Sequence, residues 1–307
     1  MTSEFSLDEA LARVATIGAC HWVKGWFAAN RLARRNARWR PAILKAVANS
    51  DWDQAPRCDG VLANDIWSGE RFMPARALRL MARGLFPTAY LAAHDWVRQD
   101  PNPAQGFARL LEETRARAIN ESGHLGHGFS IWAGYLDLSE SGLLENASRR
   151  VQVATERFAE YVAQTLPGYP VGENQWAAPP FGEVTSHSFA RVLDDSLLEP
   201  GFFGHNVILL SHALRHRQRL TEKEWMRLLA QTESATRLAA SDADPDSHPE
   251  THAPSNHRLE LNEVVEDHLR RRPGNVHRIT LCDAVITLWD GASPLQKQRL
   301  LALLEAV

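Results

Sequence analysis

The chain has 307 residues, 44% hydrophobic and 23% charged, with a formal net charge of -3, ordinary globular usage and enough chain for one large domain or two small ones. That near-neutral balance gives no electrostatic reason to expect nucleic acid or an anionic membrane surface as an obligatory partner. Three scattered cysteines (Cys20, Cys58, Cys282) support neither a disulfide framework nor a thiolate zinc site, and neither a basic, then apolar, leader nor an apolar stretch of about 18 residues occurs, so the expected protein is cytoplasmic.

Ser6-Leu7-Asp8-Glu9 has the form of a capping box, and Leu7, Leu11 and Val14 follow at helical spacing. This helix, or a second one after Gly18, carries Trp22, Trp26 and a stripe of Arg31, Arg34, Arg35 and Arg38. The stripe could hold a phosphate, but its plainer account is a solvated helix face. Residues 49–73 read as irregular, and Pro74 suits the first turn of a helix running to Leu85. A short apolar helix from Thr88 ends before Asp100-Pro101. Another begins at Pro103, with Phe107, Leu110, Leu111 and Thr114 on one side, and an apolar helix covers 124–138.

Val151, Ala154, Phe158, Tyr161 and Val162 have the 3.6-residue period and stop at Pro167-Gly168. Residues 167–182 are too rich in proline and glycine for regular structure, and 241–256, acidic and with three prolines, read as a mobile linker that exposes His248 and His252. Between them lie a short helix near 188–198, an apolar one over about 203–216, and one opened by the box Thr221-Glu222-Lys223-Glu224. The last third holds a helix with Leu261, Val264, Val265 and His268, an apolar helix from Val276 to Trp289, and a terminal helix started by Ser293-Pro294. No segment alternates with period two. The expected fold is a single all-α domain over 1–307, of about ten helices.

Thirteen histidines carry the functional reading. His127, His205 and His277 each stand near the start of an apolar helix, at a spacing compatible with a repeated multi-helix unit. His205, His212 and His216 share one stripe within about 40° of arc on a helix whose opposite face is also apolar. His212 and His216, four residues apart, have the spacing that lets two imidazoles grip one metal, although His216 is equally explained as a cation favoured at a helix C-terminus. Glu121-x-x-His124 matches the carboxylate–histidine pair of helical di-metal proteins, with Glu183, Asp194 and Asp283 as possible further carboxylates, but the motif is not duplicated.

These features predict a metal held by His127, His205, His212 and His277, with Glu121 and His124 as additional or supporting groups. Iron is the expected ion and zinc the alternative. Trp132, Tyr135 and Trp289 would wall an apolar pocket for a small organic substrate, with Asp283 beside it. The expected activity is then that of a non-haem metal-dependent oxidoreductase. The plainer account is that these imidazoles simply bond to carbonyls within the core. Two other readings exist: a helical ligand- or partner-binding scaffold without catalysis, and a metal-dependent phosphohydrolase built on the doublet His94-Asp95. Nucleophilic and nucleotide-dependent chemistry lack their motifs.

Overall fold

A computed structural model describes residues 5–14, 21–48, 50, 72–120, 124–166, 188–242, 261–271 and 276–307. Every regular element among them is helical, so the protein is all-α, with fourteen α-helices where about ten were expected. The backbone divides into two compact units, Met1–Phe27 with Gln54–Pro180, and Ala28–Asp53 with Phe181–Val307. Among the described residues no helix is long and apolar enough to cross a membrane.

The first unit contains α1 (Leu7–Ala12), the start of α2 (Trp22–Arg35), α4 (Pro74–Ala82), α5 (Thr88–Arg98), α6 (Pro103–Asn120), α7 (His127–Glu140) and α8 (Ser148–Thr165). Ser6 caps α1 by accepting from the Glu9 N–H at 3.2 Å. α8 packs on α1, α4, α5, α6 and α7. Its buried face carries Phe158 and Tyr161, whose rings cluster with Tyr135 of α7, while Phe107 of α6 packs against Phe158 and Tyr135. The Tyr161 hydroxyl donates to the Gly128 carbonyl at 2.7 Å, which fixes the first turn of α7 against α8.

The second unit holds the rest of α2, α3 (Arg40–Ala48), α9 (Phe189–Leu198), α10 (His205–Arg215), α11 (Glu222–Asp242), α12 (Leu261–Arg270), α13 (Val276–Trp289) and α14 (Pro294–Ala306). α13 is central, touching α3, α10, α12 and α14, which is why it is apolar on nearly every face. Both downstream caps form as their sequences suggest. Thr221 and Glu224 exchange bonds of 2.8 and 3.3 Å at the start of α11, and Ser293 and Gln296 form a full capping box on α14.

The arginine stripe illustrates why the helix count rises. Asn36 adopts an extended backbone, φ -148°, and its side chain accepts from the Arg38 N–H at 3.1 Å. α2 therefore ends at Arg35, a 3₁₀ turn covers Ala37–Trp39, and α3 starts anew, so Arg38 shares no helix with the other three arginines. Arg34, Arg35 and Arg38 are exposed, as a solvated face requires. The Pro/Gly segment 167–182 lies outside the described residues. So does the acidic segment from 243, with His248 and His252, while α11 extends through Ser241 and Asp242.

One buried histidine in the second unit is structural. His268 of α12 is fully buried and bonds through Nδ1 to the Leu304 carbonyl of α14 at 2.7 Å. Burial above all holds its pKa down to about 4, assisted by the nearby Arg278 and Arg271 charges. The fold binds the neutral ring while the unfolded chain protonates near 6.5, so stability falls as pH drops from about 6.5 to about 4. His268→Leu is expected to flatten that part of the stability profile by about 3 kcal/mol, read by urea denaturation at pH 4.5 and 7. An unchanged difference between the two pH values would assign the acid sensitivity elsewhere.

Candidate metal centre

The second unit builds one histidine pair. Phe202–Gly204 form a 3₁₀ turn in which Phe203 (φ 50°) and Gly204 (φ 74°) both take left-handed backbone, and α10 begins at the next residue, His205. At Gly204 a side chain would be excluded twice: by that φ, and by Leu281 Cδ1, which would lie 2.7 Å from an added Cβ. The turn is thus pressed onto α13, and His205 is delivered, 2% exposed, to a position beside His277 in the first turn of α13. The two rings are 4.7 Å apart between centroids and inclined at 50°. Phe203 stacks on His277 at 5.5 Å and Phe202 on His205 at 6.2 Å, so aromatic faces hold both imidazoles in place.

His205 Nδ1 lies in a short hydrogen bond to the Phe202 carbonyl. A carbonyl only accepts, so Nδ1 carries the proton and Nε2 presents a lone pair. Such a bond to one ring nitrogen is how proteins orient the other toward a metal.

The first unit builds a second pair by the same local device. Leu125 (φ 58°) and Gly126 (φ 69°) take left-handed backbone, Gly126 caps α7, and His127 is the first residue of that helix. Its ring lies 4.6 Å from that of His21, again at 50°. His21 immediately precedes α2. The two units share the pattern Gly-x-x-Gly-His, at 123–127 and at 201–205.

One helical turn further along each chain segment, the first unit carries an amine and a hydroxyl. Lys24 Nζ donates to Ser130 Oγ at 3.3 Å, and both side chains are 1% exposed. α2 and α7 approach so closely here that a Cβ on Gly134 would stand 2.7 Å from Lys24 Cβ. Burial pushes the Lys24 amine down to about 7.

His21, His127, His205 and His277 each offer one ring nitrogen, and these atoms all lie within 4.8 Å of one another, a group that could hold a metal ion. Bonds of about 2.0–2.1 Å place opposite nitrogens no more than about 4.2 Å apart.

Of the residues expected as ligands, His127, His205 and His277 are brought together. The fourth member is His21, which the sequence reading did not name. It meets the criterion applied to the other three, a histidine at the start of a helix, but the residues before it gave no clear helix boundary. His212 is not in the group; it is buried on α10 with Nδ1 3.4 Å from an Arg215 guanidinium nitrogen. Glu121 and Glu183 lie outside the described residues, and His124 is described only in its backbone. Asp194 is half exposed and bonded to Gln296 and Arg299.

The expected pocket walls have other work. Trp132 is buried and donates to the Leu111 carbonyl at 3.1 Å, and Tyr135 is consumed in the aromatic core of the first unit. Trp289 is half-buried, with the Lys297 ammonium 5.5 Å from its ring centre. Asp283 is a structural anion, paired with Arg31 at 2.8 Å and with Arg215 at 2.7 Å. Two arginines on one carboxylate satisfy its charge as a metal otherwise would. In the doublet His94-Asp95, Asp95 accepts from the Phe72 N–H at 2.6 Å, while His94 bonds to Glu156, so the two point to different partners.

Comparison of the chain with family models, with curated proteins and with solved structures gives no match.

Proposed function

We propose that His21, His127, His205 and His277 hold one transition-metal ion, and that the protein is a non-haem metal-dependent oxidoreductase acting on a small organic substrate. The observation that carries this reading is the approach of four imidazole nitrogens to within 4.8 Å, all four donors being histidine among the described residues. Four imidazole nitrogens that approach one another are the donor set that a shared cation would take up. Neutral nitrogen ligands suit iron, copper, nickel and zinc, and iron is the ion we favour. It would supply one-electron and Lewis-acid chemistry.

The protein's own contribution is orientation and exclusion of water. The carbonyl of Phe202 sets the tautomer of His205, the rings of Phe202 and Phe203 hold the His205–His277 pair, and the uncharged ligand set leaves the ion's positive charge available to an anionic or electron-rich substrate atom.

The test is metal analysis of the purified protein together with cycling of its absorption spectrum by a mild reductant and oxidant. The expected result is close to one equivalent of a redox-active metal whose spectrum changes reversibly. Stoichiometric zinc, which has no redox chemistry, would overturn the oxidoreductase assignment while leaving a metal site. Metal below about a tenth of an equivalent after growth and purification without chelators would overturn both.

A further inference from the structure

A second site lies in the first unit and is independent of the four histidines. Between α5, the start of α6 and the start of α8 is a groove of about 540 Å³, lined by His94, Val97, Arg98, Pro103, Ser148, Arg149, Val151 and Gln152. This is the size of an ordinary small-molecule pocket. A smaller depression of about 300 Å³ continues from it past Pro103, Ser148 and Val151.

Its chemistry is one-sided. Two arginines and a histidine line the groove, none of its eight described lining residues is a carboxylate, and Glu145 lies in the adjoining depression. Ser148 and Arg149 form the first turn of α8, an eighteen-residue helix whose N-cap, Ala147, offers no side-chain acceptor, so the positive end of its dipole adds to the same field. Val97, Pro103 and Val151 supply an apolar wall.

His94 is the polar group at the buried side. Its Nε2 lies 3.1 Å from Glu156 Oε1, and Glu156 is completely buried, while the His94 side chain keeps 14% of its surface exposed. Glu156 is followed by the buried Arg157, which pairs with Glu160 at 2.9 Å, and Glu160 in turn accepts from the Tyr90 hydroxyl. This network locks the His94 ring from below. Nε2 is thereby engaged with Glu156 on the buried side of the groove that the ring lines.

We propose that this groove binds a small organic anion, an apolar body carrying a carboxylate or phosphate group, recognised by the charge and hydrogen-bonding groups of Arg98, Arg149 and His94 in its lining. Arginine forks match both anionic groups, so the shared chemistry is the planar or tetrahedral oxyanion. Loss of one such charge-assisted contact typically weakens binding by about tenfold or more.

The experiment is titration of the full-length protein with benzoate, phenyl phosphate and benzyl alcohol, followed by calorimetry and by the imidazole proton resonances. The expected result is saturable binding of at least one anion, with a dissociation constant of about 1 mM or tighter, a shift of the His94 signal, and no comparable binding of the alcohol. Preference between benzoate and phenyl phosphate identifies the anionic group. Arg149→Ala should weaken binding about tenfold, and the pair Arg98→Ala with Arg149→Ala should do so further. Both arginines are exposed, so folding should be retained. Equal binding of the alcohol, binding unchanged in the double variant, or no saturable binding of either anion would overturn the proposal.

Discussion

His205→Ala is expected to reduce bound metal from near one equivalent to below about a tenth, and to weaken titrated metal by at least about a hundredfold. The size of the effect follows from the position of the residue. His205 is the most buried of the four imidazoles, its tautomer is set by the Phe202 carbonyl, and it packs against His277. Removing it takes away one donor and also the ring against which a second donor rests. His212→Ala is the control. That side chain is equally buried on the same helix, two turns away, so its loss should cost about 1–3 kcal/mol of stability while leaving metal content unchanged. If His205→Ala destabilises too strongly for titration, His277→Ala makes the same comparison from α13, at a position only half-buried. Metal retained in both ligand variants, or lost equally from His212→Ala, would detach the bound ion from this group.

Lys24→Met is expected to raise stability near neutral pH by several kcal/mol. The fully buried Lys24 amine has a hydroxyl as its hydrogen-bond partner, and burial lowers its pKa from 10.5 to about 7. A base whose folded pKa is depressed is protonated more readily in the unfolded chain. Between about 7 and 10.5 the unfolded state therefore binds more protons, and stability rises with pH by about 1.4 kcal/mol per unit, reaching a total on the order of 5 kcal/mol. Below pH 7 the penalty is fully present; above 10.5 it is gone. Methionine has a similar length and no charge, so the variant lacks this slope. Urea denaturation of both proteins at pH 7, 8.5 and 10 should show the advantage of the variant shrinking with each step. Parallel stability profiles would mean that the amine is solvated in the fold.

The amine and hydroxyl one turn behind the histidines of the first unit are not repeated in the sequence of the second. At Ser130 the matching position of α10, three residues after its own leading histidine, is Ile208, and at Lys24 the matching position of α13 is Thr280. The two units thus share the device that presents histidines but differ one turn behind it.

Much of the helical architecture was legible in the sequence because its signals are local. Capping residues at Ser6, Thr221 and Ser293 and prolines at 74, 103 and 294 mark helix starts whatever the helices pack against. The break at Asn36 was not legible, since an arginine stripe with helical spacing looks continuous until the Asn36 side chain takes the Arg38 N–H. The histidines divide in the same way. The position of His127 and His205 behind a glycine is a local pattern, and its backbone reason is the left-handed turn at 125–126 and 203–204. His21 and the exclusion of His212 are non-local. Helical periodicity places His205 and His212 on one stripe, but it cannot say that two turns of helix carry His212 away from the other rings. Asp283 misled for a related reason: a mid-helix carboxylate among apolar residues needs a cationic partner, and sequence alone does not reveal that Arg31 and Arg215 provide it.

X-ray absorption at the edge of the bound metal tests the central claim most directly, because imidazole gives a distinctive multiple-scattering pattern and its number can be counted. About four imidazole nitrogens near 2.0–2.1 Å are expected, falling by one in a variant that lacks a single one of the four histidines but still binds. A first coordination sphere of sulfur, of oxygen alone, or with two or fewer imidazoles would contradict it.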